Sequence, residues 1–118
     1  MNVLDLFGAD TATVTFAANE TIFLEREEGG TMYVIAEGSV RLSLTGRTLE
    51  KIGKGGFFGE MSVVDREPRS ATATALADCR LIPVKLDRFR ELIAQNPDFA
   101  LEIMRVMARR IRSMDSRI

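Results

Sequence analysis

Phe57-Phe58-Gly59-Glu60-Met61-Ser62-Val63-Val64-Asp65-Arg66-Glu67-Pro68-Arg69-Ser70-Ala71-Thr72-Ala73 is the stretch on which the reading of this sequence turns. It sets one carboxylate, Glu60, and one guanidinium, Arg69, at the two ends of a short apolar turn. A guanidinium can fork onto two phosphate oxygens. A carboxylate can only accept, which suits a sugar hydroxyl. Gly59 permits close backbone approach, and a helical turn over 61–64 would aim free N–H groups at an anion. The pattern therefore points to a phosphate carried beside a sugar. The plain competitor is a surface Arg69 paired with Glu67 or Asp65, worth at most about 1 kcal/mol. Glu60 in turn could pair with Arg69, and Ser70 could be an ordinary strand hydroxyl.

Working outward from this stretch, the flanks read as β-structure. Thr11 to Phe16 and Thr21 to Leu24 are rich in β-branched and aromatic residues, with a turn at Asn19-Glu20. Met32 to Ala36 is the most apolar strand, and Val40 to Leu44 alternates as a half-buried strand should. Thr48 to Ile52, Ala71 to Ala75 and Arg80 to Val84 complete the set. Short strands with frequent turn signals imply a sandwich or barrel. Gly53-Lys54-Gly55-Gly56 fails the phosphate-loop pattern, because no Gly-Lys-Ser/Thr follows the required gap. These are turn glycines.

Composition narrows the chemistry. With 118 residues the chain is one domain, and its net charge of −1 supplies no bulk field toward nucleic acid or anionic membrane. Cys79 is alone, so no internal disulfide can form, and it reads as a small strand residue. There is no histidine, which removes the common hydrolytic zinc sites and the Ser/Cys-His nucleophile systems. No apolar run reaches membrane-spanning length, and Asp5 stands where a signal peptide would be basic then apolar. The expectation is a cytoplasmic protein without a metal and without catalysis.

The segments Phe58-Gly59-Glu60-Met61-Ser62 and Pro68-Arg69-Ser70-Ala71-Thr72 resemble the phosphate-binding cassette of cyclic-nucleotide-binding domains. Charge type, order and spacing all match, and the likeness runs from about Val14 to the last helix. It implies a mainly β fold with C-terminal helices: an eight-stranded jelly-roll (double-stranded β-helix) barrel over 11–86, with the cassette at 57–73 and a short phosphate-binding helix. Residues 1–10 would be a lead-in and 87–118 a helical lid. The resemblance implies ligand contacts from Gly59, Glu60, Met61, Arg69, Ser70 and Ala71, with Glu60 on the ribose 2′-hydroxyl and Arg69 on the phosphate. Phe58, Val63, Val64 and Thr72 would line the pocket. Cyclic AMP is preferred over cyclic GMP, whose readers often carry threonine after the cassette arginine, although serine occurs in both groups. One departure is Gly29-Gly30, where many members carry Gly-Asp.

The last third is helical. Asp87 is read as an N-cap, with Phe89, Leu92 and Ile93 on one apolar face. Asn96-Pro97 restarts the helix, cap then first position. Met104, Met107, Ile111, Met114 and Ile118 recur at steps of three and four, a seam for a homodimer through 104–118. The arginines of this helix, Arg105, Arg109, Arg110, Arg112 and Arg117, read as a solvated face. Counted from Arg69, Met114 falls where catabolite-activator proteins place the residue that meets the adenine amino group. Those proteins continue into a helix-turn-helix domain, whereas this chain stops at Ile118, so no direct DNA contact is expected. The expectation is a stand-alone regulatory module signalling through its last helix to an effector the sequence does not name. Its alternatives are a ligand-independent dimerisation module, or a piece of a larger channel, kinase or transcription factor.

Overall fold

Met32, Val34 and Ile35 are apolar at near-consecutive positions because both faces of their strand are covered. The structure, a computed structural model, describes residues 1–114; the Met114 side chain and residues 115–118 lie outside the described set. After a short 3₁₀ turn at Val3–Leu6 come eight strands. They are β1 (Val14–Phe16), β2 (Thr21–Phe23), β3 (Thr31–Glu37), β4 (Val40–Leu44), β5 (Arg47–Ile52), β6 (Phe57–Phe58), β7 (Thr72–Ala75) and β8 (Cys79–Lys85). The helices are α1 (Glu60–Asp65) between β6 and β7, then α2 (Leu86–Gln95) and α3 (Pro97–Met114).

The strands form two antiparallel four-stranded sheets, ordered β1-β8-β3-β6 and β2-β7-β4-β5. This is the expected mainly β, jelly-roll-like arrangement with C-terminal helices, but its sheets are not hydrogen-bonded into a closed barrel. Between the sheets lie Phe23, Ile35, Val40, Leu42, Ile52, Phe58, Ala73, Ala75, Cys79 and Leu81. The outer face of the first sheet carries Met32, Val34, Phe57, Ile82 and Val84, which pack on Phe89, Leu92, Phe99, Ile103 and Val106 of α2 and α3. Strand alternation explains the split: Phe57 faces the helices and its neighbour Phe58 faces the other sheet. Burying a large apolar side chain stabilises by about 1.5–3 kcal/mol, so α2 and α3 are held by their apolar stripe.

Pro97 opens α3, and the Asn96 carbonyl accepts from Phe99 N–H at 2.9 Å. Asp87 does not cap α2. The cap position is Lys85, and the Asp87 carboxylate accepts from the Arg88 amide at 2.8 Å inside the first turn. The seam expected on α3 is divided. Leu101, Met104 and Ile111 are exposed, while Met107 is partly buried against the core. Three-four spacing does not say which side of an 18-residue helix meets the sheet; the barrel-side stripe of Phe99, Ile103 and Val106 does. Met114 and Ile118, also assigned to the seam, lie outside the described side chains, as does Arg117. No described helix is long and apolar enough to cross a membrane.

Candidate functional site

Gly59 ends β6 and starts α1 with φ +81°, a left-handed conformation that favours glycine. A Cβ there would stand 2.8 Å from Arg69 Nη1 and 3.0 Å from the Thr31 carbonyl. The sharp turn drops Glu60 inward, where it is 2% exposed. At its other end α1 stops at Arg66, also left-handed. Arg69 then returns beneath the helix, its backbone strapped to the β2–β3 loop by Arg69 N–H to Glu27 O and Arg26 N–H to Arg69 O, both 2.8 Å.

Ser62 organises the underside of α1. Its Oγ donates to Gly59 O at 3.2 Å and accepts from Arg69 Nη1 at 2.9 Å and Gly30 N–H at 3.1 Å. A Cβ on Gly29 would lie 2.4 Å from Ser62 Oγ, so glycine at that position lets the loop reach the cassette; Gly30, which departs from the family's Asp, has φ +110° with nothing within 4 Å of an added Cβ.

Arg69 is 7% exposed and lies over the Phe23 ring, its Cζ 3.9 Å from the centroid. Phe23 is held by contacts with Tyr33 and Phe58. Among the described residues Arg69 makes no ion pair, and its Nε has no hydrogen-bond partner. The pairing with Asp65 or Glu67 weighed from the sequence does not form. Burial lowers the Arg69 guanidinium from its ordinary value, partly opposed by Tyr33, Glu27 and Glu60. An unpartnered buried N–H is costly, and an anion would relieve it.

Glu60 pairs with Arg110 of α3, not with Arg69. Arg110 Nη1 donates to Glu60 Oε1, Nη2 to the Phe57 carbonyl at 2.6 Å and Nε to Glu50 Oε1 at 2.9 Å. Burial pushes the Glu60 carboxyl above its ordinary range; Arg110 and the backbone amides of Glu60 and Met61 pull it back in part. Arg110 corrects the expectation of a solvated arginine face, being 6% exposed. The signal was present in the sequence, since Arg110 follows Ile103 and Val106 at helical spacing on the same stripe.

Gly59, Glu60, Met61, Arg69, Ser70 and Ala71 line one cavity of about 30 Å³, joined by Phe23, Leu42, Ser62 and Arg110. Two hollows of about 430 and 460 Å³ open elsewhere, but their walls hold no buried charged side chain. Phe58, Val63, Val64 and Thr72 do not line the cavity. Phe58 and Val63 are spent on the core, Val64 is half exposed, and Thr72 Oγ1 accepts from the Glu25 amide at 3.0 Å. The base-meeting role considered for Met114 lies outside the described side chains. No group of three or more metal-ligating side chains occurs among the described residues.

The family description "Cyclic nucleotide-binding domain" matches residues 13–96. The CRP-like cAMP-activated global transcriptional regulator of Mycobacterium tuberculosis is 33% identical over 110 residues, covering 89% of this chain and 49% of that protein. The chain thus spans about half the length of the curated relatives it matches. The crystal structure of the Thermus thermophilus catabolite activator protein superposes with TM-score 0.78 at 33% identity, covering 90% of this chain and 52% of that one. An EAL enzyme solved in a cGMP-bound form superposes with TM-score 0.70 at 32% identity, covering 89% of this chain and 30% of that one. Its cAMP-bound form gives 0.69 at 33%, covering 87% and 29%.

Proposed function

This chain belongs to the cyclic nucleotide-binding domain family, and from that premise we propose that it takes up a 3′,5′-cyclic nucleotide, cyclic AMP in preference to cyclic GMP, as a non-catalytic regulatory module in the cytoplasm. The observation that carries the reading is Arg69: a guanidinium 7% exposed, with Nε unpartnered, facing the same cavity as the buried carboxylate of Glu60. Arg69, Ser70 and the Gly59 to Met61 backbone would hold the cyclic phosphate. Glu60 would accept from the ribose 2′-hydroxyl. Charge-assisted bonds of this kind contribute about 1.5–3 kcal/mol each.

Small-ligand sites usually enclose about 300–1,000 Å³, an order of magnitude more than this cavity. Uptake therefore requires the cassette to open, and Arg110 makes α3 part of that opening because it ties the helix to Glu60. Ligand in the cassette would shift α3 between two positions. Amide exchange of α3 with and without nucleotide tests this step, and unchanged protection refutes it. The exposed side chains of Leu101, Met104 and Ile111 support a homodimer through α3.

Titration calorimetry with cyclic AMP, cyclic GMP and an Arg69→Ala control tests the binding. Arg69→Ala should weaken cyclic AMP binding by about ten- to a hundredfold. Equal affinity for the two nucleotides defeats the cyclic AMP preference. No binding by the unaltered chain defeats the reading as a whole and favours a ligand-independent dimerisation module.

A further inference from the structure

Arg110 takes acceptors from three separate elements. Nε meets Glu50 of β5, Nη1 meets Glu60 of α1, and Nη2 meets the Phe57 carbonyl of β6. The two carboxylates differ in setting. The Glu60 side chain is 3% exposed, whereas that of Glu50 is 27% exposed and also meets Arg109 Nη2 at 3.6 Å. Glu50 does not line the cavity, so any effect it has on a ligand passes through Arg110.

A guanidinium is a rigid planar fork. Two terminal nitrogens alone leave the plane free to rock about the line joining their acceptors. A third bond, at Nε, removes that freedom and fixes where Nη1 points. Glu50 supplies this bond from β5, its second carboxylate oxygen lying 3.6 Å from Arg109 Nη2 on the solvent side.

We propose that Glu50 is the positioning residue that sets sugar specificity: by anchoring Arg110 at Nε it holds Glu60 rigidly in place for a 2′-hydroxyl, and so fixes discrimination between ribose and 2′-deoxyribose cyclic nucleotides. The inference rests on the reading of the cavity as a ribose-phosphate site. A merely structural Glu50 would contribute equally to both sugars, because the phosphate contacts on Arg69 are common to both.

Calorimetry on the full chain with cyclic AMP and with 2′-deoxy cyclic AMP decides it. Glu50→Ala should weaken cyclic AMP by about tenfold, the scale of one charge-assisted bond. It should change the deoxy nucleotide by less than about twofold. Glu50→Gln keeps an oxygen acceptor for Nε and should restore most of the discrimination. Equal weakening of both nucleotides by Glu50→Ala, or no change in either, overturns the proposal. Should Glu50→Ala fail to fold by circular dichroism, Glu50→Asp replaces it. Asp keeps the charge but retracts the acceptor, so it should reproduce the loss that Gln does not; identical behaviour of Asp and Gln overturns the proposal. If the unaltered chain binds neither nucleotide, the ribose-phosphate reading itself fails and this inference falls with it.

Discussion

Glu60 and Arg110, 50 residues apart in the chain, form an ion pair whose side chains are 3% and 7% exposed. The pair joins the cassette helix to the last helix beside Phe57, whose carbonyl accepts from Arg110 Nη2 and whose ring centroid lies 5.6 Å from the guanidinium. Its burial, rather than its charge, makes it consequential for stability and for ligand uptake.

Breaking it by Arg110→Met should cost about 3–5 kcal/mol, because Glu60 is then left buried without compensation. The exposed pair Arg80–Glu37, with side chains 48% and 60% exposed, is worth at most about 1 kcal/mol. Urea denaturation of Arg110→Met and Arg80→Met makes the comparison. The double variant Glu60→Gln/Arg110→Met should recover much of the loss. Equal effects of the two single variants contradict the assignment.

Acidity should act on this carboxylate with a definite sign. Glu60 faces Arg110 from α3 and Arg69 across the cavity, with Glu50 beyond Arg110. Burial raises its folded-state pKa above the ordinary 4.5. Between those two values the folded chain binds more protons than the unfolded chain. Its contribution to stability is thus fully present below the ordinary value and is lost as pH rises through the raised one. Ligand binding runs the opposite way, because an ionised carboxylate is the stronger acceptor for the 2′-hydroxyl. The stability of the unaltered chain relative to Glu60→Gln should fall with rising pH over this window while cyclic AMP affinity rises. Either slope reversed contradicts the account.

Gly59→Ala should be destabilising by about 1–3 kcal/mol, since a left-handed backbone and a near-clash with the Thr31 carbonyl combine there. It should also displace Arg69 and weaken cyclic AMP binding by about tenfold or more. Gly46→Ala is the control: its φ is +80°, but nothing lies within 4 Å of an added Cβ. Thermal melts and calorimetry on both variants separate backbone strain from loss of the site.

Met104→Glu should abolish self-association through α3. Met104 is 60% exposed and sits between exposed Leu101 and Ile111 on the helix surface. Sedimentation velocity should give a dimer for the unaltered chain and a monomer for Met104→Glu, with circular dichroism unchanged. A monomer in both cases removes the dimer proposal.

The strand at Val40 to Leu44, the turn at Asn19-Glu20 and the helix restart at Pro97 were all legible in the sequence, because each depends on neighbours within a few residues; the bulge after Leu42, which buries Ser43, was not. The co-location of Gly59, Glu60, Met61, Arg69, Ser70 and Ala71 was legible for a similar reason, since one short helix and its exit loop carry all six. Asp87 was misread because a carboxylate in the first helical turn has the same local composition as a cap. Met107 packs partly against the core, which periodicity alone does not reveal, since it gives a stripe but not the side it faces.

What the sequence alone determined about this protein is its local chemistry: short strands broken by frequent turns, a glycine that permits close backbone approach, and opposite charges, Glu60 and Arg69, flanking one short apolar turn. Only the tertiary structure decided which partner each charge found. Arg110 left its expected place on a solvated face to meet Glu60 and Glu50, and Arg69 stacked on Phe23 rather than pairing with Asp65 or Glu67. For Arg110 the reason is that burying a charge is costly unless a partner arrives with it, and in a two-sheet fold the partners come from strands and helices far apart in the chain.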